Sequence, residues 1–504
     1  MSLLAIDIGS SRCKAVVFAS TGKILAQHAC AYTPDFPAPS QAEINAERFL
    51  QAVCQCSKAV SGNLSDPVRA LCLSSHGETF VPVDGRNKAI APAILNQDTR
   101  AAEEAAWLEA TIGRKRLFEI TGLVAHPMYP VPKILWLRKH RPDIFVPSVR
   151  FLSVIGYVLS RLGLDPYIDY SLASRYLAFD IRQHRWSEEI LAATEIKAEC
   201  LPVAVATGTI AGKLDAAAAQ LGLLQGTMVV MGGHDQPCGG LGVGAIGPGR
   251  VADSMGTYEC LLAASDQPSL TDVALAASLN TYCHVVPDKF VTLAYFPSGI
   301  MIKWFHDLLY GDACGESVME GGDASDLESL HYATLEREVP GGRTGLYITP
   351  NLFGTCNPDF NPRARGIISG LGTNTTRSQI YKGILEGLAC EMSHMTDILE
   401  SVVGEFRDVY ATGGGSRSAL GLQLRAALSG RRLHVMECPE AVCLGGAILA
   451  GVACGEYGSL QEAVEVVVRD FSVVSPDDAI AASYEQQAKR YRHLSAALSA
   501  ITGT

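Results

Sequence analysis

The stretch from Gly232 to Thr257 holds residue types that could carry out phosphoryl transfer. Asp235 follows the apolar run Thr227–Met231, which is typical of a buried strand, and stands among glycines in a predicted turn. Glycine has no Cβ, so such a turn lets backbone N–H groups approach a phosphate closely. Ser254–Thr257 repeats a small-residue turn further along. One unpaired carboxylate beside a candidate phosphate-binding turn therefore predicts a phosphotransferase site.

Phosphoryl transfer needs in-line positioning, charge neutralisation and a group that takes the proton of the attacking hydroxyl. A carboxylate just beyond a strand end can reach a substrate in a cleft, so Asp235 is our candidate general base, with Gln236 beside it as a candidate substrate contact. The alternative is a turn aspartate that hydrogen-bonds only to its own backbone. The spacing alone leaves both interpretations open.

The amino terminus carries a second turn of this kind. Leu3–Asp7, Lys14–Ala19 and Lys23–His28 are predicted strands of a β-meander, whose first turn has the sequence Asp-x-Gly-Ser-Ser. Ala252–Thr257 again places a glycine and a hydroxyl residue after an apolar strand, about half the chain away. We interpret this as a weak internal duplication in which each half opens on a phosphate-facing hairpin.

Length and composition restrict the class of protein. A chain of 504 residues is too long for one ordinary core, so we expect two domains, residues 1–247 and 248–504. The chain is 48% hydrophobic and 18% charged, as in a soluble globular enzyme. Its net charge is -11 and it has no basic block, so no nucleic-acid partner is expected.

Localisation is predicted from the cysteines and the apolar segments. Fifteen cysteines without a matched metal-binding pair favour reduced thiols in the cytoplasm. The amino terminus lacks a basic region and Asp7 interrupts its apolar run, so we expect no signal peptide. Ala441–Gly455 is too short to span a bilayer, and no membrane partner is expected. A homodimer is the assembly considered, although no feature of the sequence marks its surface.

The remaining segments predict alternating helices and strands whose halves pack across a cleft, because no linker separates them. Predicted helices are Glu43–Ser61, Ala101–Ile112, Pro132–His140, Ser148–Arg161, Glu188–Glu195, Ile300–Tyr310, Thr376–Val403, Leu420–Leu428, Cys443–Cys454 and Ala479–Ala497. Further predicted strands are Val68–Ser74, Arg250–Asp253, Tyr258–Ala264, Gly345–Thr349, Asp408–Ala411 and Arg432–Val435.

Several segments, in order, resemble the FGGY carbohydrate kinases of the actin/Hsp70-like ATPase superfamily. Met128–His140 fits the first family signature at every constrained position, and Gly366–Glu386 fits the second except for Gly383, where alanine or serine is usual. Asp169–Ser174 and Gly233–Asp235 also look like family segments. The resemblance implies an α/β fold of two RNase-H-like domains flanking a deep interdomain cleft, and an ATP- and Mg²⁺-dependent sugar kinase.

The resemblance also implies roles for individual residues, each of which could otherwise belong to an ordinary turn. Asp235 would be the base, and Asp7 would hold Mg²⁺ through water. The residues implied in nucleotide binding are Ser10, Ser11, Lys14, Gly256, Thr257, Gly299, Gly413, Gly414, Gly415 and Ser418. Those implied in sugar binding are His76, Glu78, Asp98, Arg100, Asp235 and Gln236.

The substrate loop and its neighbours bear on the choice of sugar. Asn96 stands where the family's W-x-D-x-R loop commonly has tryptophan, and a solvated pair at a helix start is the alternative interpretation of Asp98 and Arg100. Glycerol kinases carry an arginine and a tyrosine at the positions of Gly77 and Met128, which disfavours glycerol. The overall length and the Asp-x-Arg loop resemble the ketose kinases most, and the smaller Gly77 leaves room for a longer polyol or ketose. A xylulose-like pentulose is therefore expected, with an erythritol-like polyol or another ketose as the alternative.

Two other classes of protein remain as rivals. One is an ATP-binding regulatory protein on the same fold, against which the candidate base argues. The other is an NAD-linked oxidoreductase, because Gly242-x-Gly244-x-x-Gly247 fits a dinucleotide fingerprint formally. That run does not lie between a strand and a long helix of a βαβ unit, which disfavours the second rival.

Overall fold

The computed structural model describes residues 1–62, 64–319, 324–469 and 471–502. The strands of the first half are β1 (Ser2–Ile8), β2 (Arg12–Ala19), β3 (Ile24–Ala31), β4 (Glu43–Ile44), β5 (Val68–Ser75), β6 (Phe80–Val83), β7 (Ala93–Ile94), β8 (Arg150–Ser153), β9 (Ile168–Asp169), β10 (Phe179–Asp180), β11 (Arg185–Trp186), β12 (Ala204–Val205), β13 (Ile210–Lys213) and β14 (Met228–His234). Its α-helices are α1 (Glu47–Ser61), α2 (Ala102–Ile112), α3 (Arg114–Thr121), α4 (Pro130–His140), α5 (Pro142–Phe145), α6 (Val154–Arg161), α7 (Tyr170–Ser174), α8 (Glu188–Thr194), α9 (Ala218–Leu221) and α10 (Asp235–Gly242).

The second half contains the strands β15 (Arg250–Met255), β16 (Tyr258–Ser265), β17 (Asn280–Cys283), β18 (Phe290–Pro297), β19 (Tyr347–Thr349), β20 (Ile367–Ser369), β21 (Asp408–Thr412), β22 (Arg432–Met436) and β23 (Phe471–Val474). Its α-helices are α11 (Asp272–Ala276), α12 (Gly299–Met319), α13 (Ala324–Arg337), α14 (Arg377–Val403), α15 (Ala419–Ser429), α16 (Ala441–Ala453), α17 (Leu460–Val467) and α18 (Asp478–Thr502).

The two halves repeat one sheet topology. In the first, β3, β2 and β1 are antiparallel neighbours, and β5 and β14 continue the sheet in parallel with β1. In the second, β18, β16 and β15 are antiparallel neighbours, and β21 and β22 continue in parallel. The duplication predicted from the two Gly-hydroxyl turns is confirmed, whereas the boundary at residues 247 and 248 stays a prediction.

Helix α16 joins the halves, because it packs on β1 and β5 of the first half and against α10. Glycines permit this approach: a Cβ on Gly445 would lie 1.9 Å from the Cys238 carbonyl oxygen, and one on Gly242 would lie 1.9 Å from that of Ala441. Gly242 thus ends a packed helix and does not open one after a strand. The dinucleotide interpretation of Gly242–Gly247 is therefore wrong.

Most predicted elements appear with shifted ends, and two need correction. Ser148–Arg161 is not one helix, because β8 pairs with β6 and buries Phe151 before Ser153 caps α6. The helix predicted from Glu43 begins at Glu47, since β4 pairs with β7 first. Within the described ranges, no helix is long and apolar enough to cross a membrane.

Candidate active site

Asp235 is the first residue of α10, directly after β14. It was expected in a turn with a free carboxylate, and both expectations are wrong. The Gln236 backbone N–H lies 2.6 Å from Asp235 Oδ1, and His234 Nε2 lies 3.2 Å from the same oxygen. Burial, followed by the charges of Asp7 and Glu78, raises the pKa of Asp235 well above its ordinary value. A carboxylate with a raised pKa is a stronger base once ionised.

Glu78 lies beside Asp235 because β5 and β14 run parallel and end together, with Ser75 opposite His234. Arg175, at the end of α7, donates from Nε to the Glu78 carboxylate, and each side chain is only 4% exposed. Burial acts to raise the pKa of Glu78, but Arg175, His234 and Lys133 together outweigh it and hold the pKa below its usual range. Glu78 is therefore an ionised acceptor within the fold.

Sequence reasoning missed Arg175. Its signal was a lone arginine in the otherwise uncharged run Leu172–Phe179, because a buried cation requires a partner. A Cβ on Gly77 would lie 3.1 Å from Arg175 Cγ and 3.0 Å from His234 Cδ2. The space beside Gly77 is thus filled by protein, which corrects the expectation that it accommodates a longer substrate.

His76 and Lys133 form hydrogen bonds with the loop that contains Glu78. The His76 ring is buried, with Nδ1 at 2.8 Å from the Ile8 carbonyl oxygen and Nε2 at 2.8 Å from Thr79 Oγ1. Lys133 of the first signature donates to the Glu78 and Leu95 carbonyl oxygens over 3.0 and 2.7 Å. Burial lowers its pKa to about 7. The role of His76 in sugar binding stays a prediction.

Asp98 and Arg100 form a buried pair, 0% and 5% exposed, so the alternative of a solvated pair is wrong. Arg100 Nη2 lies 2.7 Å from Asp98 Oδ2 and 2.7 Å from Glu43 Oε1. Asp98 also accepts from the Ala42 N–H over 2.7 Å. These bonds hold the loop before α2 against the strand of Glu43, and direct sugar contact by either residue stays a prediction.

The first phosphate hairpin connects β1 and β2. Asp7, the last residue but one of β1, pairs with Lys14 of β2, and Ser74 donates to Asp7 Oδ1 over 3.2 Å. Ser10 and Ser11 form the turn between the strands. Lys14 Nζ lies 2.6 Å from Glu440 Oε2 in the second half of the chain. The hairpin is therefore tied across the two halves.

The second predicted phosphate site is the turn at Gly256 and Thr257, where three segments of the chain meet around Met255. The Gly299 N–H donates to the Gly256 carbonyl oxygen over 3.0 Å, and the Ile300 N–H donates to that of Thr257 over 3.2 Å. Gly413 has φ of 95°, and its Cβ would lie 2.8 Å from the Met255 carbonyl oxygen. Gly299 begins α12, so a helix amino terminus opens at this turn. Such termini favour phosphate.

Three further predicted nucleotide residues lie close to this turn: Gly414, Gly415 and Ser418. Gly414 and Gly415 lie in the short 3₁₀ turn Gly414–Arg417 that follows β21. Ser418 Oγ caps α15 by accepting from the Gly421 N–H over 2.9 Å, and it donates to Glu336. The structure thus brings the predicted nucleotide residues of the second half together, and their contacts with a nucleotide stay a prediction.

Models of two domains match the chain. The FGGY family of carbohydrate kinases, N-terminal domain, matches residues 2–242, and the C-terminal domain of the same family matches residues 251–454. The chain belongs to the FGGY family of carbohydrate kinases. It is thus an ATP-dependent sugar phosphotransferase, and the predicted fold of two actin/Hsp70-like domains is confirmed.

Relatives of this kinase differ in the substrate that their names state. A gluconokinase of Bacillus subtilis is 27% identical over 98% of this chain and 94% of its own. A xylulose kinase of Escherichia coli is 26% identical over 97% and 98%. The ligand-bound crystal structure of xylulose kinase from Lactobacillus acidophilus superposes with a TM-score of 0.88, at 21% identity over 100% and 99% of the chains.

The residues of this kinase fit a magnesium ion that retains water and phosphate ligands. Burial raises the pKa of Asp7 to about 6, and the charge of Glu440 adds to the effect. A divalent cation would relieve this repulsion between carboxylates. Among the described residues no group of three or more acidic, histidine or cysteine side chains could chelate a metal, and Asp7 is the protein ligand that the family resemblance implies.

A cavity of about 210 Å³ lies elsewhere, in the second half. Residues of β18, α14, α18 and the loop between β19 and β20 line it, among them Phe296, Asn357, Glu391, His394 and Tyr491. None of the residues predicted for the sugar or nucleotide site lines this cavity. The assignment of the chemistry to Asp235, the β1–β2 hairpin and the Gly256 turn stays a prediction.

Proposed function

We propose that this kinase transfers the γ-phosphoryl group of ATP to a hydroxyl of a small neutral sugar, a ketose such as a xylulose-like pentulose. An erythritol-like polyol or another ketose is the alternative. The observation that carries the proposal is the position of Asp235 at the start of α10, a helix that packs on β15 and β16, which bear the Gly256 turn. The proposed base thus lies between the sugar side, at Glu78, and the nucleotide side.

The relatives support a sugar acceptor but divide between a ketose and an aldonate. At 24–27% identity, xylulose kinases and gluconokinases both align along nearly the whole chain. The pairing of Arg175 with Glu78 supports the neutral ketose, because it leaves this arginine little charge to offer to a carboxylate.

The proposed mechanism uses few groups. The sugar hydroxyl donates its proton to Asp235 while its oxygen attacks the γ-phosphorus, and the bond to the ADP oxygen breaks. Glu78 accepts from another substrate hydroxyl and fixes the orientation. Lys14 and the N–H groups of the glycine turns hold the phosphates. Asp7 would hold Mg²⁺, which supplies charge neutralisation when bound. Closure of the halves excludes water and limits ATP hydrolysis.

A panel of acceptors tests the proposal. ADP release is measured with xylulose, ribulose, erythritol, glycerol, gluconate and no acceptor. The proposal predicts strong stimulation by one ketose or polyol and a low rate without acceptor. ATP binding without turnover of any acceptor would favour the regulatory protein on the same fold, and selective stimulation by gluconate would replace the ketose by an aldonate.

A further inference from the structure

We propose that Arg175 is a positioning residue of the sugar site, which orients the Glu78 carboxylate as the acceptor that distinguishes a neutral sugar from an anionic one. This inference rests on the proposed sugar kinase activity. Arg175 is distant from Glu78 in sequence, yet its Nε donates directly to Glu78 Oε1. Neither Arg175 nor Glu78 can leave this pair for water, because both side chains are only 4% exposed.

Two aromatic rings lie against the Arg175 guanidinium. Its Cζ lies 5.3 Å from the Tyr129 ring centroid and 4.8 Å from that of Tyr282. Tyr129 precedes α4 of the first half, whereas Tyr282 belongs to β17 of the second. Cation–π contacts favour a guanidinium over a ring face. The orientation of Arg175 therefore depends on both halves of the cleft.

The backbone at Glu78 is also specified. Glu78 has φ of 62°, in the left-handed region that a glutamate rarely adopts. Such conformations persist where the surroundings impose them, and they occur often at ligand sites. Gly77 before it has no side chain, and a Cβ there would press on Arg175 and His234. The chain thus accepts backbone strain at Glu78 and keeps the space that Arg175 occupies.

Acidic and basic groups both surround this pair. The ionisable side chains that act on Glu78 or on Asp235 beside it include Asp7, Arg175, His234 and Lys133. Burial lowers the pKa of His234 to about 3, so that ring is neutral near pH 7. The Arg175 charge is balanced by Glu78, and the Lys133 ammonium is engaged by two carbonyl oxygens. Both cations thus already contact protein oxygens, which disfavours a substrate carboxylate, whereas sugar hydroxyls can donate to Glu78.

Steady-state kinetics of R175M, R175K and E78Q test this role. We expect R175M to raise the KM for the accepted sugar by about 10- to 100-fold, as for loss of a charge-assisted hydrogen bond, with the KM for ATP within about twofold of wild type. R175K retains the charge and should recover part of the loss. R175M/E78Q should be far from additive, because either single change already breaks the pair.

The matched control is R431M. Arg431 pairs with Glu400 over 2.7 Å and lies 4.8 Å from the Phe406 ring, so it shares the chemistry of Arg175 away from the sugar site. We expect R431M to leave the KM for the sugar unchanged. If R175M does not fold, R175M/E78Q carries the test, since it leaves no unpaired buried charge.

The outcomes separate the two proposals. A wild-type enzyme that phosphorylates no sugar overturns the proposed function and the inference together. A wild-type enzyme with normal turnover, combined with R175M or R175M/E78Q that keeps the wild-type KM for the sugar, overturns the inference alone. An equal rise in the KM for sugar and for ATP would also overturn it, because that pattern indicates a general structural role.

Discussion

Lys14 of the first phosphate hairpin binds Glu440, the residue before α16 of the second half, with 2.6 Å between Nζ and Oε2. The side chains are 32% and 12% exposed, so the pair is partly buried. The residue predicted to contact ATP phosphates is thus held by a carboxylate of the opposite half. We expect phosphate and Glu440 to compete for the same ammonium.

The competition predicts opposite effects of two substitutions. E440Q releases Lys14 and should lower the KM for ATP by about two- to fivefold, the size expected for a partly exposed ion pair. K14M removes the phosphate contact and should raise that KM about tenfold. The KM for the sugar serves as the internal control in both variants. An unchanged KM for ATP in K14M would remove Lys14 from the phosphate site.

The raised pKa of Asp235 predicts an unusual pH profile. The base accepts a proton only when ionised, so kcat/KM should rise with pH through the pKa of Asp235. Burial and the charges of Asp7 and Glu78 place that pKa well above its ordinary value. Activity should therefore fall on acidification at a pH well above the usual carboxylate range. A midpoint near pH 4 would contradict this environment for Asp235.

The approach of α10 and α16 predicts a loss of stability on adding one methyl group. G445A would place Cβ 1.9 Å from the Cys238 carbonyl oxygen, and it should reduce the free energy of unfolding by about 1–3 kcal/mol or more. G62A is the control, because no atom of the described residues from another part of the fold lies within 4 Å of the added Cβ. Denaturant titration measures both, and equal stability of the two variants would disprove close helix contact here.

The sequence allowed prediction of the features that short segments encode. The β-meander at Asp7, the strand before Asp235 and the repeated Gly-hydroxyl turns lie close together in the chain, and local hydrophobic patterns specify them. Family signatures then ordered these segments into two domains. Element ends shifted mainly where a strand pairs with a distant one, as β8 does with β6.

Contacts between residues far apart in the chain could not be predicted from these local patterns. Arg175 meets Glu78 across 97 positions, and Lys14 meets Glu440 across 426. Such pairs follow from how helices and sheets pack, which no local pattern specifies. For the same reason Gly77 was interpreted as open space, although His234 and Arg175, from later segments, fill it. The sequence therefore indicated which residues could form the site, but it did not indicate the hydrogen bonds between them.

Single-turnover kinetics of D235N test the central claim most directly. Asparagine keeps the shape of the side chain but cannot take the hydroxyl proton. The single-turnover rate constant of phosphoryl transfer should therefore fall by at least about 10²-fold. The affinity for ATP, measured by equilibrium titration, should stay within about twofold of wild type. Near-normal transfer of phosphate to the sugar by a folded D235N enzyme would contradict the assignment of Asp235 as the general base.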